Sequence, residues 1–542
     1  MHHRLQTARR KLLVAGATVL LAASAAMLPA SGSMAQTLVI GQAGDGLTLD
    51  PHAFNGIVEA SIMSNLFDPM IAFDKEMNID PSKSLIESWE NPEPERWVFH
   101  VREGVKFHNG AELTAEDVAF SLERMLNWEV FGAMTGIAFY INAIESVEVT
   151  GPHTVEVKTK GPFGPMLRHL RTVYVVNKAH VEQVTEEKGV EEVSRQPVGT
   201  GAFKLVEWVA GDHVTLERND DWWAGEAGIE KVIFRQIANN ATRTAALLSG
   251  EIQIATELPP HDVPRVESNG DTDVVVLDGM RTVNFKFDTG RDETPGIAGM
   301  KNPLQDKRVR MAINHAIDQD AIIKVVMNSF ATPAEQISGR QHFGWSPNVE
   351  RLAFDPDRAK ELLAEAGYQD GFPLRVDSTN NRYVNDEQIC LAVAQMLTKV
   401  GIQANCRARS KQIAFKEYYD KNILCCSMFV FSYVVPTADI AGNMETNFHT
   451  PTPDGKYGAS NGGNPETPQY SNPEVDELIE AAARETESEK RLALLQKASE
   501  TIMADYPIVP LHYQNDIYGI SNKVDWQPRP DYFLTMFDAK WK

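Results

Sequence analysis

At 542 residues the chain is too long for one hydrophobic core, and 43% hydrophobic with 23% charged side chains is the balance of a folded, soluble protein. Its 52 basic against 74 acidic side chains give a formal net charge of -22. Such a surface repels nucleic acid and anionic lipid headgroups over a Debye length of about 10 Å, which removes both from the expected partners. In chain order, Arg4, Arg9, Arg10 and Lys11 come first, then the apolar run "LLVAGATVLLAASAAMLPA", then small residues at Ser33-Met34-Ala35. That is the order of an export signal, cut after Ala35. Its loss takes four basic and no acidic groups, so the net charge of the mature chain becomes -26. The apolar run is interrupted by Pro29, Ser31 and Gly32, and no other stretch approaches the roughly 18 apolar residues of a spanning helix.

After the signal, "TLVIGQAG" reads as a strand and "NGIVEASIMSNLFDPMI" as a helix followed by a strand. In "WVFHVREGVKFHNGAELTAEDVAFSLER", Trp97, Phe99 and Val101 alternate with more polar residues, and Val105 and Phe107 resume the period of two after a turn at 102–104. The spacing predicts a hairpin. Thr114 then N-caps a helix with Asp117 three residues on, followed by Val118, Leu122, Met125 and Leu126 at helical spacing. His100 and His108 stand in no metal-ligand or triad pattern and read as scaffold. "INAIESVEVTGPHTVEVKTK" is a second hairpin, and "KVIFRQI", "NATRTAALLSGEI" and "IQIA" make a βαβ-like unit. A shift to Gly, Pro and charge from Thr289 to Pro303 marks a domain boundary. Beyond it come the helices "QDKRVRMAINHAI", "QDAIIKVVMN" and "DPDRAKELLAEAGY", where Asp355 is the N-cap, and the strands "FPLRVDST" and "GIQANCRA" about a further helix. Phe448 to Tyr470 is a Pro/Gly/Asn-rich loop, and "IVPLHYQNDIYGI" is a strand able to carry the chain back to the first domain.

Enzymatic motifs are missing. The chain has no His-Glu-x-x-His, no Gly-x-Ser-x-Gly and no phosphate-cradling Gly-x-x-x-x-Gly-Lys-Ser/Thr, so no catalytic residue, metal site or cofactor is expected and binding is the default. Cys390, Cys406, Cys425 and Cys426 fall in one short region, which in an exported chain suggests a local disulfide. A helix from about Asn385 to Val400 and a returning strand bring Cys390 and Cys406 to similar heights; Cys425 and Cys426, on opposite faces of a strand, leave one of them as the other candidate for Cys406.

The pattern "WVFHVREGVKFHNGAELTAEDV" resembles the signature of the extracellular solute-binding proteins of the peptide/nickel group, family 5, the receptors of ABC importers. Leu49-Asp50-Pro51-His52, "PVGTGAFKLVEW", "LERNDDWW", "DKRVRMAINHAID", "AKELLAEAGY" and "SNPEVDELI" are further similar blocks, spread over nearly the whole mature chain. The resemblance implies an α/β, bilobed fold of the periplasmic-binding-protein type, class II, with an extra subdomain in the first lobe and two hinge crossings. It implies residues 1–35 as signal, 36–288 as the first lobe with a subdomain at about 79–197, 289–511 as the second lobe, and 512–542 as a return to the first. The crossings are expected near Phe287-Thr289 and Leu511-Asn515.

The function it implies is that of a periplasmic monomer that captures a di- or oligopeptide between the lobes and delivers it to an importer permease at the inner membrane. The alternatives are the same role for a metal chelate or an oligosaccharide, then a periplasmic hydrolase, then a holdase with exposed apolar patches. In peptide-binding relatives the ligand backbone is paired like an added strand, its amine meets a carboxylate and its carboxylate a basic side chain. Carried over, this puts Asn55, Gly56 and Ile57 along the ligand backbone and Arg382, in "STNNRYVNDE", at the ligand carboxylate. Relatives often show Gly-Trp before a run of carboxylates; here "FSYVVPTAD" has Tyr433 in the place of Trp and leaves only Asp439 to meet the amine.

Overall fold

The computed structural model describes residues 37–542 except Asn55, 128–136, 420–425, 435 and 463–467. The export signal, Asn55 and Cys425 therefore lie outside the described residues.

One mixed sheet of eleven strands runs through the protein. On one side lie Thr37–Gln42, Lys231–Gln236 and Ile254–Ala255, with Thr37–Gln42 between the other two and parallel to both. The connection from Lys231–Gln236 to Ile254–Ala255 is the helix Asn240–Leu248, so the βαβ unit read from the sequence forms with the first strand inserted at its centre. Leu38, Ile40, Val232 and Phe234 are buried there, as both faces of a parallel sheet require. On the other side Pro373–Thr379 pairs in parallel with Gln403–Arg409 and with Met428–Tyr433.

Two long antiparallel strands, Thr272–Phe287 and Ile508–Ser521, join the sides. Residues 272–278 pair with 515–521 beside Ile254–Ala255, and 282–286 pair with 508–513 beside Met428–Tyr433. The register shifts between Asp278 and Thr282. At that break a Cβ on Gly279 would lie 2.6 Å from both Asp516 Oδ2 and the carbonyl of Gln514, so the close approach of the two strands requires glycine. The change of partner precedes the composition shift at Thr289, which marks instead the end of the strand; hydrogen bonding, invisible in composition, divides the sheet.

The segment from Ile86 to Thr159 builds its own four-stranded sheet, Ile86–Glu93, Arg96–Val101, Thr154–Thr159 and Ile144–Gly151 in spatial order. The hairpin about Gly151-Pro152 forms as expected. The hairpin expected within 97–107 does not, because Arg96–Val101 is claimed on both edges by Ile86–Glu93 and Thr154–Thr159. Val105 and Phe107 are still buried, held in a compact turn by Phe107 N donating to the Ala111 carbonyl at 2.8 Å and Leu113 N to that of Val105 at 2.9 Å. The helix Ala115–Leu126 starts at Thr114 with the expected capping box: Thr114 N donates to Asp117 Oδ2 at 3.0 Å. Its apolar face, Val118, Leu122 and Met125, packs on Trp97, Phe99 and Val157.

Beyond the crossing strand, helices Lys307–Ala316, Gln319–Val325 and Pro356–Glu365 form where the sequence places them, the last with Asp355 Oδ1 accepting from Arg358 N at 2.9 Å. Cys390 in the helix Asp386–Lys399 is disulfide-bonded to Cys406 on Gln403–Arg409 with Cα atoms 5.7 Å apart, which resolves the pairing left open by spacing. Cys426 is also disulfide-bonded.

Candidate ligand-binding cleft

Leu49-Asp50-Pro51-His52 is an anchor rather than a binding group. Arg124, at the end of the Ala115–Leu126 helix, donates to both Asp50 oxygens at 2.8 and 2.6 Å and reaches His52 Nδ1 at 3.0 Å. His52 Nε2 donates to the Tyr174 carbonyl at 2.8 Å, which leaves Nδ1 as the acceptor for Arg124. Burial, with Arg124 beside it, holds the His52 pKa down at about 4, so the ring stays neutral. The block that resembles the family signature is thus tied, through Arg124, to the loop that leads into the helix Ile57–Leu66. Gly56 caps that helix, and Glu59 fills the space beside it; any Cβ at Gly56 would collide with Glu59 Oε2.

Ile57, 44% exposed, opens onto a cavity of about 560 Å³. Its wall comes from both sides of the sheet: Ile57 and Ser61 from the first, Arg382 and Tyr383 from the second, and Arg281, Asp516 and Tyr518 from the crossing strands. This volume falls within the roughly 300–1,000 Å³ of small-molecule sites.

Arg382 is placed by a turn built around one carboxylate. Asp386 Oδ2 accepts from Arg382 N at 3.0 Å, Tyr383 N at 3.1 Å and Thr379 Oγ1 at 2.6 Å. Asn385 takes a left-handed conformation, φ 55°, and its Nδ2 donates to the Val326 carbonyl at 2.7 Å. The loop after the strand Pro373–Thr379 is therefore rigid, and the exposed Arg382 guanidinium stands 5.5 Å from the centre of the Tyr383 ring. It forms no ion pair among the described residues.

Tyr433 and Asp439 are not in the lining of this cavity. Tyr433 ends the strand Met428–Tyr433 half-buried, paired with Thr282 and packed on the cluster of Ala414, Tyr418, Phe429 and Phe431. Asp439 is buried, Arg491 Nη1 donates to its Oδ2 at 2.5 Å, and its Oδ1 accepts from Ala441 N at 2.9 Å. Burial works to raise its pKa, but Arg491 and Arg168 win and hold it below the usual carboxylate range. The carboxylate foreseen for a ligand amine is committed to the protein's own arginine.

Two charged groups in the cavity went unnoticed in the sequence. Asp516 is 7% exposed, its Oδ2 has no hydrogen-bond partner among the described residues, and burial pushes its pKa well up. Arg281, at the register break, reaches Ser432 Oγ at 3.4 Å and lies 6.0 and 5.8 Å from the ring centres of Tyr383 and Tyr532. The buried hydroxyl of Tyr532 lies beside both Arg281 and Asp516. The available signal was charge inside two long strands rich in apolar residues: Asp278, Arg281 and Lys286 in "VVVLDGMRTVNFKF" and Asp516 in "IVPLHYQNDIYGIS". No group of three or more His, Cys, Asp or Glu among the described residues is placed to hold a metal ion, and no helix among them is long and apolar enough to cross a membrane.

A sheet crossed twice, with a polar cavity at the crossing, is the architecture of a two-lobed solute receptor. The chain belongs to the bacterial extracellular solute-binding proteins, family 5, whose middle region matches residues 80–453. It is 26% identical over 542 residues to the glutathione-binding protein GsiB of Pectobacterium atrosepticum, covering 98% of each chain. Among solved structures it is similar to the periplasmic binding protein DppA from Helicobacter pylori in complex with the peptide STSA. That likeness has a TM-score of 0.73 and 25% identity and covers 93% of this chain and 98% of that one. It is also similar to HbpA2 from Haemophilus parasuis, with a TM-score of 0.81, 22% identity and coverage of 94% and 100%, a likeness of fold.

Proposed function

We propose that this chain is the periplasmic receptor of an ABC importer that captures a short peptide between its two lobes and passes it to a permease at the inner membrane. The family and the glutathione- and peptide-binding relatives support the receptor role. The observation that carries the ligand class is an arginine without an ion-pair partner among the described residues, Arg382, held by the Asp386-centred turn at the wall of a cavity that both sides of the sheet line. Arg382 takes the ligand carboxylate, the Gly56-Ile57 edge runs along the ligand backbone, and Asp516 replaces Asp439 as the group that meets the amine. The receptor acts as a monomer and without a cofactor, and it releases its ligand chemically unchanged.

Calorimetry tests the reading. A charge-assisted hydrogen bond contributes about 1.5–3 kcal/mol, so Arg382→Gln should weaken free dipeptides about 10- to 100-fold. Carboxy-amidated dipeptides, which bind the native protein more weakly, should be almost unaffected. Equal losses for free and amidated peptides would remove Arg382 from the carboxylate and return the non-peptide solutes, metal chelate or oligosaccharide, to consideration.

A further inference from the structure

The cavity holds more positive charge than one peptide carboxylate needs. Of the charged residues in its lining, Glu257 is 72% exposed and 3.7 Å from Arg243, and His261 is 76% exposed, so both belong to the rim. Arg281 and Asp516 remain inside, and Arg382, itself exposed, stands at the wall. Neither guanidinium forms an ion pair with a carboxylate of the described residues, and both stand within 6.0 Å of the same Tyr383 ring. Asp516 is the one carboxylate beside Arg281 inside the cavity, and its buried Oδ2 accepts no hydrogen bond from either arginine. Arg281 has Asp516 as its charged neighbour, and in the peptide reading the ligand amine takes Asp516; the guanidinium then lacks a counter-charge, a cost that falls when the ligand supplies a second anion.

Building on the peptide reading, we propose that the ligand is acidic: it carries a second carboxylate, read by Arg281, besides the one read by Arg382. Arg281 is well placed for this. It projects from the first crossing strand at the register break, where Gly279 lets the strand close on Gln514 and Asp516. Tyr383 and Tyr532 flank the guanidinium, limiting its rotation and its access to water. An arginine so held presents its planar fork to a carboxylate at little further entropic cost. Its place on a crossing strand also means that the second carboxylate is read where the lobes meet, so acidic and neutral peptides differ in how well they hold the closed form.

The test compares peptides that differ by one charge at constant shape: Ala-Glu with Ala-Gln, and Glu-Ala with Gln-Ala, by calorimetry on the native full-length mature protein. In at least one pair the acidic member should bind about 10- to 100-fold tighter. Arg281→Gln should abolish that preference, and Arg281→Lys should retain part of it. Arg382→Gln should weaken both members alike. Because the acid-to-amide ratio is measured first on the native protein, a variant that folds poorly does not spare the proposal. If acidic and neutral members bind equally well, the peptide reading stands and the second carboxylate is refuted. A preference that survives Arg281→Gln assigns the carboxylate to another group and overturns the role of Arg281. If none of the four peptides binds, the peptide reading falls and this inference with it.

Discussion

His512 sits on the second crossing strand with no exposed surface to speak of and with both ring nitrogens lacking hydrogen-bond partners among the described residues. Burial lowers its pKa from 6.5 to about 4. Between those values the unfolded chain binds a proton that the folded chain refuses, so the stability this group contributes is present above about pH 6.5 and is lost as pH falls toward 4. Replacing the ring by an apolar side chain removes the linkage. Urea unfolding of wild type and His512→Leu should therefore converge or cross as pH is lowered from 8 to 5, the wild type losing about 1.4 kcal/mol per pH unit relative to the variant within the window. Parallel pH profiles would mean that His512 is protonated in the folded protein.

At the scale of elements, Asp439 shows how a side chain can look like a binding group and act as a joint. It links the segment after the strand Met428–Tyr433 to Arg491 on the helix Ser488–Ala504. Arg168, from the other side of the sheet, donates to the adjoining Ala438 carbonyl at 3.2 Å and lies 4.4 Å from the Phe343 ring centre. Removing one member of a buried pair leaves an uncompensated charge, at a cost of about 3–5 kcal/mol. Asp439→Asn should destabilise the ligand-free protein by about that much in urea unfolding, and Asp439→Asn with Arg491→Met should recover part of the loss. Free and amino-acetylated peptides should lose affinity equally in the single variant. A selective loss for the free amine, without destabilisation, would restore Asp439 to the ligand.

At the scale of the molecule, the two crossing strands are the only continuous sheet connection between the sides among the described residues, and the cavity lies against them. A ligand that touches both lobes should favour the closed arrangement by its differential affinity, and the break in pairing between Asp278 and Thr282 is where the strands are least tied to one another. Small-angle scattering should show a smaller radius of gyration at saturating peptide than without it. An unchanged profile, with binding confirmed by calorimetry on the same sample, would show that capture needs no closure.

Much of this was present in one dimension. The period of two in Trp97, Phe99 and Val101, the Thr114-Asp117 box and the Asp355 cap are local rules, satisfied within a few residues, and each produced its element. Family blocks spaced along the chain identified the receptor and led to Arg382, whose turn is built from its own neighbours Thr379 and Asp386. Tertiary structure decided the rest. Val105 and Phe107 follow strand periodicity, yet their neighbour strand finds its partners at 86–93 and 154–159, and a pairing edge has only one occupant. Asp439 and Asp516 are both lone carboxylates in apolar surroundings, indistinguishable by pattern. What separates them is that Arg491, 52 residues away in sequence, reaches the first, whereas no arginine among the described residues comes within ion-pair distance of the second. Burial and counter-charge are properties of the packed chain, so the sequence alone determined which kind of protein this is, and only the fold determined which of its charges are committed to the protein's own partners and which line the cavity.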